Sequence, residues 1–434
     1  MTKQRHWTRR RMLGAAAAGT AAAIGARSPL AAPAIVKGTS LAYWGGLIFS
    51  DKANKTLTDA INKWGADNGV RTEVVMINQN ETVQKVSAAM ASGTMPDALD
   101  VGLDLLIVLA GQGKFIALDD LYASIGKDHG GWMAPVDKAC NLNGRFGIPF
   151  GVSGNMLLRR DDVLGKAGFK NAPATWVELV DQAAKVVKPP FYPIGFCLGN
   201  AGDGNTQVNV IQSYGGRIAD DSGKKAAIKS DATRKYLEWV KDAYDRKLFP
   251  PGVTTWDGAG DNNAYAAGTI AFAANTGSIG IAARKDDPDL YKGTAYSSLP
   301  AGPLGVISPI SPQLRSIPTT SKNPEAAKAL CEYLARPEYT EAYYADAIYG
   351  PVLQNEQTLS VFDGKDPILA GLLDLVRKGT APGYPDVYNA GFADVMNNYL
   401  IPKMIQRVVV DRWDFDRAMD EAQGQIQATY NKYG

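Results

Sequence analysis

The chain's proton-transfer groups are 44 carboxylates and two histidines, and their placement argues against most chemistry. His6 lies in a leader-like N-terminus. His129 is then left alone in a polar Asp-His-Gly-Gly turn, a solvated loop position, and one unpartnered histidine builds neither a catalytic triad nor a metal site. Residues 151–154 (GVSG) fall short of a nucleophile elbow. Two S-x-x-K matches, at 124–127 and 222–225, sit in turn-like sequence without their companion motifs. No Walker A or G-x-G-x-x-G pattern is present, so nucleotide binding has no support and no cofactor or metal is expected. The acids Asp97, Asp100 and Asp104 cluster near a strand end. They could act as a glycosidase-type carboxylate pair, hold sugar hydroxyls, or simply be solvated.

Binding chemistry is better represented than catalysis. Trp44 ends a strand-like run, Gln79 and Asn80 follow a second and Asp104 a third, while Asn275 and Ser278 follow a later one. Open α/β sheets bind ligands beyond the carboxyl ends of their strands. Asp, Asn and Gln pair with the donors and acceptors of a polyol, and an aromatic face packs on the apolar side of a pyranose. Trp44 and Trp256 are the aromatic candidates, the latter in the polar loop that includes Asp257. Trp64 and Trp239 lie on helical stripes and read as core, and Trp176 reads as packing at a helix start.

The elements that position these residues alternate. Strand-like runs at 39–44, 71–77 and 98–101 are separated by amphipathic helices over 52–64 and 81–92, the first with Leu57, Ile61 and Trp64 on one stripe. This order predicts an α/β fold with a largely parallel sheet. Strands at 145–149, 155–158, 193–198 and 269–274 follow, with helices over 176–187 (capped by Thr175), 232–247 and from Pro324 (capped by Asn323). Gly- and Pro-rich connections fall at 149–154, 199–206 and 300–312.

The 434 residues suit two or three domains. Residues 1–34 hold six basic residues and no acid; the remainder carries 40 basic and 44 acidic residues, a balance that points to neither nucleic acid nor an anionic membrane. Thr8-Arg9-Arg10-Arg11 opens an Ala-rich apolar run that closes on Ala32-Pro33-Ala34, the pattern of a signal peptide with a twin-arginine motif. Residues 1–34 are therefore expected to be removed, and the mature protein to be periplasmic. The three cysteines, Cys140, Cys197 and Cys331, cannot form a complete disulfide framework; one pair could oxidise in the periplasm, but they are read as buried free thiols.

Seven segments in order resemble the extracellular solute-binding proteins of ABC importers, in the carbohydrate-binding group that includes maltose-binding protein. They include residues 91–97 (ASGTMPD), 111–121 (GQGKFIALDDL), 143–150 (NGRFGIPF), 173–179 (PATWVEL), 265–268 (YAAG) and 321–327 (SKNPEAA). Residues 157–161 (LLRRD) depart from the family's Tyr-Asn strand end. The resemblance implies a type II periplasmic-binding-protein fold: two α/β lobes, each a mostly parallel sheet flanked by helices. Lobe one is expected at 35–150 and 312–352, and lobe two at 151–311 and 353–434. It implies a monomeric, non-enzymatic subunit that captures a sugar, oligosaccharide or polyol in the inter-lobe cleft and hands it to permease transmembrane subunits. A sugar phosphate, a polyamine or an exported glycoside hydrolase are the alternatives. Carried over by position, Asp104 matches a ligand carboxylate, Ser153 and Asn155 lie at the hinge strand, and Asp203 and Asn205 face the cleft. Ser278 stands where the family often has Trp, and Arg315 either holds a ligand group or forms a structural ion pair.

Overall fold

The computed structural model describes residues 35–48, 50–78 and 81–433. The signal-peptide reading of 1–34, and the candidates Gln79 and Asn80, lie outside them. The first sheet comprises β1 (Ser40–Leu47), β2 (Arg71–Asn78), β3 (Ala98–Gly102), β4 (Ile148–Ser153) and β10 (Ser311–Ser316), in the order β2-β1-β3-β10-β4. The second is β6-β5-β7, with β5 at Met156–Arg160, β6 at Phe272–Asn275 and β7 at Thr294–Ser297. A short hairpin, β8 (Ala301–Gly302) and β9 (Gly305–Val306), stands apart.

The first sheet grows from β-α-β units. Helix α1 (Asp51–Asn68) starts where the Ser50 side chain accepts the Ala53 N–H, and ends at Gly69, whose φ of 69° suits a residue without Cβ. It buries Leu57, Ile61 and Trp64, the predicted stripe. Helix α2 (Thr82–Ser92) ends on Gly93 in the same left-handed way, and α3 (Leu103–Gly111) continues directly from β3.

The two-lobed α/β arrangement agrees with expectation, but the strand directions do not. Only β1–β2 and β1–β3 pair in parallel; β10 runs antiparallel to both β3 and β4, and β5 runs antiparallel to β6 and β7. The second sheet is therefore not parallel. The cause is visible in the chain: β10 and β5 enter from the crossing segments between sheets rather than through a β-α-β unit. The expected strand at 193–198 is extended but makes one isolated bridge, Ile194 to Phe272; the Pro193 carbonyl accepts from both Ala271 and Phe272, so no ladder develops.

Alternation along β5 separates two packed layers. Leu157 faces a core made with helices Trp176–Val186, Asp231–Asp245, Leu400–Val409 and Phe415–Tyr430, while Met156 and Leu158 face the core that extends into the first sheet. Residues 353–362, expected in the second lobe, pack with the first. The Gln354 and Asn355 amides donate to Gly131 and His129, and Phe362 meets Tyr344 at 5.8 Å. The buried Glu356 carboxylate draws them back by accepting from Val352 N, Leu353 N and Tyr344.

The chain crosses between sheets at Gly154, between β7 and β10, and again before the helix Pro367–Lys378. The first two crossings touch, and a Cβ on Gly154 would sit 2.7 Å from the Pro309 carbonyl oxygen. The three cysteines are free and buried. Burial pushes the thiols of Cys140 and Cys331 up to about 12 and that of Cys197 to about 11. No helix among the described residues is long and apolar enough to cross a membrane.

Candidate functional site

The strongest polar constellation lies at the strand ends of the second sheet. Asn275, the last residue of β6, organises it. Its Oδ1 accepts from Gly277 N and Ser278 Oγ, both at 3.0 Å, and its Nδ2 donates to Asn262 Oδ1 at 2.7 Å and Asp261 Oδ2 at 3.3 Å. Asp261 is 2% exposed and accepts in addition from Asn262 N. Beside β6, Asn155 precedes β5 and donates to the buried Thr206 hydroxyl at 2.9 Å. Asp203 and Asn205 occupy the short turn Gly202–Asn205; Asn205 donates to the Met396 carbonyl, while its own Oδ1 is buried without a partner.

Trp256 follows the turn Val253–Thr255, half-buried and touching both hydrophobic cores. Two glycines make room for its ring: Gly252 lies against the indole edge, and any Cβ on Gly260 would overlap the indole itself. Its loop is fastened from behind, since Gln406 Nε2 donates to the carbonyls of Leu198 and Thr254. Asp257 turns onto its own loop by accepting from Ala259 N.

Asp257 and Asp261 both bear on Asp203. Burial and then Asp261 and Asp257 push the Asp203 carboxyl up to about 6, and burial also raises that of Asp261. This corner can accept several hydrogen bonds beside one aromatic face. Among the described residues no group of three His, Cys, Asp or Glu side chains could hold a metal ion.

Two further candidates lie at the carboxyl ends of strands of the first sheet. Ser153 is the last residue of β4, opposite Ser311. Asp104 is exposed in the first turn of α3 and accepts from the Tyr388 hydroxyl at 2.6 Å. Tyr388 belongs to the second-sheet side, where its ring packs on Phe392 at 5.5 Å. Tyr388, Asp261, Asn262 and Thr206 escaped the sequence reading; the run Gly260-Asp261-Asn262-Asn263 and the paired tyrosines of 382–388 (PGYPDVY) were the available signals.

Two candidates sit in settings other than those expected from the sequence. Trp44 does not end its strand: β1 continues to Leu47, and Trp44 sits mid-strand opposite Leu99, half-buried on the core. Arg315 is not a loop cation. It lies in β10 directly opposite Asp100 and Ile148, 1% exposed, over the Phe150 ring at 4.2 Å. Its Nε donates to Tyr43 Oη, which donates to Asp100 Oδ1 at 2.5 Å. Of the expected reading's two options, the structural ion pair holds, because strand alternation turns Arg315 into the core.

The two inner acids are also committed. Asp97 accepts from Ala42 N, Ser321, Lys322 N and Asn323 N, and Asp100 from Tyr43 and Gly46 N.

The model of a family described as bacterial extracellular solute-binding protein matches residues 59–370. A Brucella abortus protein named as a binding protein is 23% identical over 393 residues, covering 88% of this chain and 92% of its own. A Deinococcus radiodurans protein named as ABC transporter-binding is 26% identical over 249 residues, covering 54% and 57%. The solved structure of the sugar-binding protein MalE from Xanthomonas citri superposes with a TM-score of 0.77 at 20% identity, over 91% of this chain and 98% of that one.

Proposed function

Because the chain belongs to the bacterial extracellular solute-binding proteins, we propose that it is the periplasmic capture subunit of an ABC importer, binding a sugar, oligosaccharide or polyol between its lobes without transforming it. The lobes are residues 35–150 with 312–362, and residues 151–311 with the remainder. Residues 1–34 serve as a twin-arginine signal, the export machinery and the permease are its partners, and the mature protein acts as a monomer.

The observation that carries this reading is Trp256 packed on Gly260, next in the chain to the Asp261–Asn262–Asn275–Ser278 network. An aromatic face flanked by fixed amide and carboxylate groups matches the alternation of apolar faces and hydroxyl rims on a pyranose. The site is assigned to Trp256, Asp257, Asn275, Ser278, Asp203, Asn205, Asn155, Ser153 and Asp104, with Asp261, Asn262 and Tyr388 added. The commitment of Asp97 and Asp100 to backbone amides supports binding over hydrolysis.

One observation favours a second reading. Asp257 and Asp261 lie close enough to Asp203 to raise its carboxyl, in the loop region that carries Trp256, and carboxylates near an aromatic ring also suit a polyamine. Native mass spectrometry of protein purified from its own host tests the choice. A retained mass that fragments as a neutral saccharide supports the first reading; a retained aliphatic amine replaces it with the second.

A further inference from the structure

Two side chains of one loop reach across from the second-sheet side to the first. Tyr388 donates to Asp104 Oδ1 at 2.6 Å, and the Tyr384 ring lies 4.6 Å under Lys138 Nζ, on the helix Ala134–Ala139. We infer that the Tyr388–Asp104 hydrogen bond is a latch that limits the separation of the two lobes.

A contact between a flexible loop and a distant carboxylate would transmit nothing. This loop, however, is fixed to its own lobe on both sides of Tyr388. Two residues before it, the buried Asp386 accepts from Gln212 Nε2, Arg217 Nε, Ile218 N and Ala219 N. One residue after it, Asn389 accepts from Phe392 N to start the helix Ala390–Asn397 and donates to the Gly223 carbonyl. The Tyr388 ring is wedged between Phe392 and Gly383, where a Cβ would come 2.8 Å from the ring.

The acceptor is equally fixed. Asp104 sits in the first turn of α3, which continues rigidly from β3 and presents a positive helix end to a negative charge. A phenol donating to a carboxylate is among the stronger neutral-to-ion hydrogen bonds. Separating the lobes at this edge must break it, since neither partner can follow the other.

The inference rests on the two-lobed reading proposed above and gives Tyr388 a role beyond lining the cleft, because the bond occupies the carboxylate assigned to the solute. The test needs no solute. Spin labels at the exposed Lys63 and Lys432 positions of the mature chain report lobe separation by pulsed electron resonance. Tyr388→Phe keeps the ring on Phe392 and removes only the hydroxyl. The ligand-free distance distribution is expected to shift outward or broaden in Tyr388→Phe, likewise in Asp104→Asn, and no further in the double variant. Unchanged distributions in both single variants, with the fold intact by circular dichroism, would overturn the latch. Because no solute is present, a wrong solute assignment cannot produce either result.

Discussion

Arg315 and Tyr43, 272 residues apart, meet through a 3.1 Å hydrogen bond in the core of the first sheet, where Tyr43 passes the contact on to Asp100. Their strands β10 and β1 flank β3, which carries Asp100, so the three side chains share one sheet face. Removing one member of a buried ionic set strands the others, at a cost of about 3–5 kcal/mol. Arg315→Ala is therefore expected to lower stability by that order in urea melts. The remaining folded protein should bind solute as the parent does. A loss of affinity without a loss of stability would return Arg315 to the binding site.

Trp256 is supported by Gly260, which must lack a side chain for the indole to lie where it does. Gly260→Ala should displace the ring and weaken solute binding by about tenfold, near 1.4 kcal/mol. Trp256→Ala should weaken binding at least as much. It should also cost about 2 kcal/mol of stability, because the ring contributes to both cores while only half-buried. Titration calorimetry and urea melts on the same samples separate the two effects. Equal affinities in parent and both variants would remove Trp256 from the site.

Two raised carboxyls predict a pH dependence. Asp203 is pushed up to about 6 by burial and then by Asp261 and Asp257, and Glu356 to about 7 mainly by burial. Unfolded carboxyls titrate near pH 4, so across about pH 4–7 these groups bind more protons folded than unfolded. Their contribution to stability therefore falls as pH rises through that window. Asp203→Asn should gain thermal stability relative to the parent as pH goes from 5 to 7.5. A stability difference independent of pH would contradict the assignment.

Gly154 touches Pro309 where two of the crossings between sheets pass. Gly154→Ala should force these segments apart and hinder lobe rotation. Small-angle scattering should show a smaller solute-induced compaction than in the parent, while an equal compaction would place the hinge elsewhere.

The sequence made some of this legible and hid the rest for physical reasons. The stripe Leu57–Ile61–Trp64 and the cap at Thr175 follow local rules, and both appear as read. Arg315 misled because Pro312 and the Gly- and Pro-rich run before it look like loop, yet Ser311–Ser316 joins a sheet whose partners are distant in sequence. The mostly parallel sheet implied for the second lobe by the resemblance fails because neither it nor the alternation of elements says how a crossing segment enters the sheet. Tyr388 was hidden for a different reason. Its meaning depends on a residue 284 positions away, and the anchoring of Asp386 and Asn389 on either side turns a loop tyrosine into a fixed group.

The most direct test of solute capture is a thermal-shift screen of residues 35–434 against neutral sugars, polyols, sugar phosphates and polyamines. A solute at about a hundred times its dissociation constant stabilises the native state by about 2.7 kcal/mol, enough for a clear rise in melting temperature. The account predicts a rise with a neutral sugar or polyol that is lost in Asp104→Asn and Trp256→Ala. A rise confined to polyamines or phosphorylated compounds, or one indifferent to both substitutions, would contradict it.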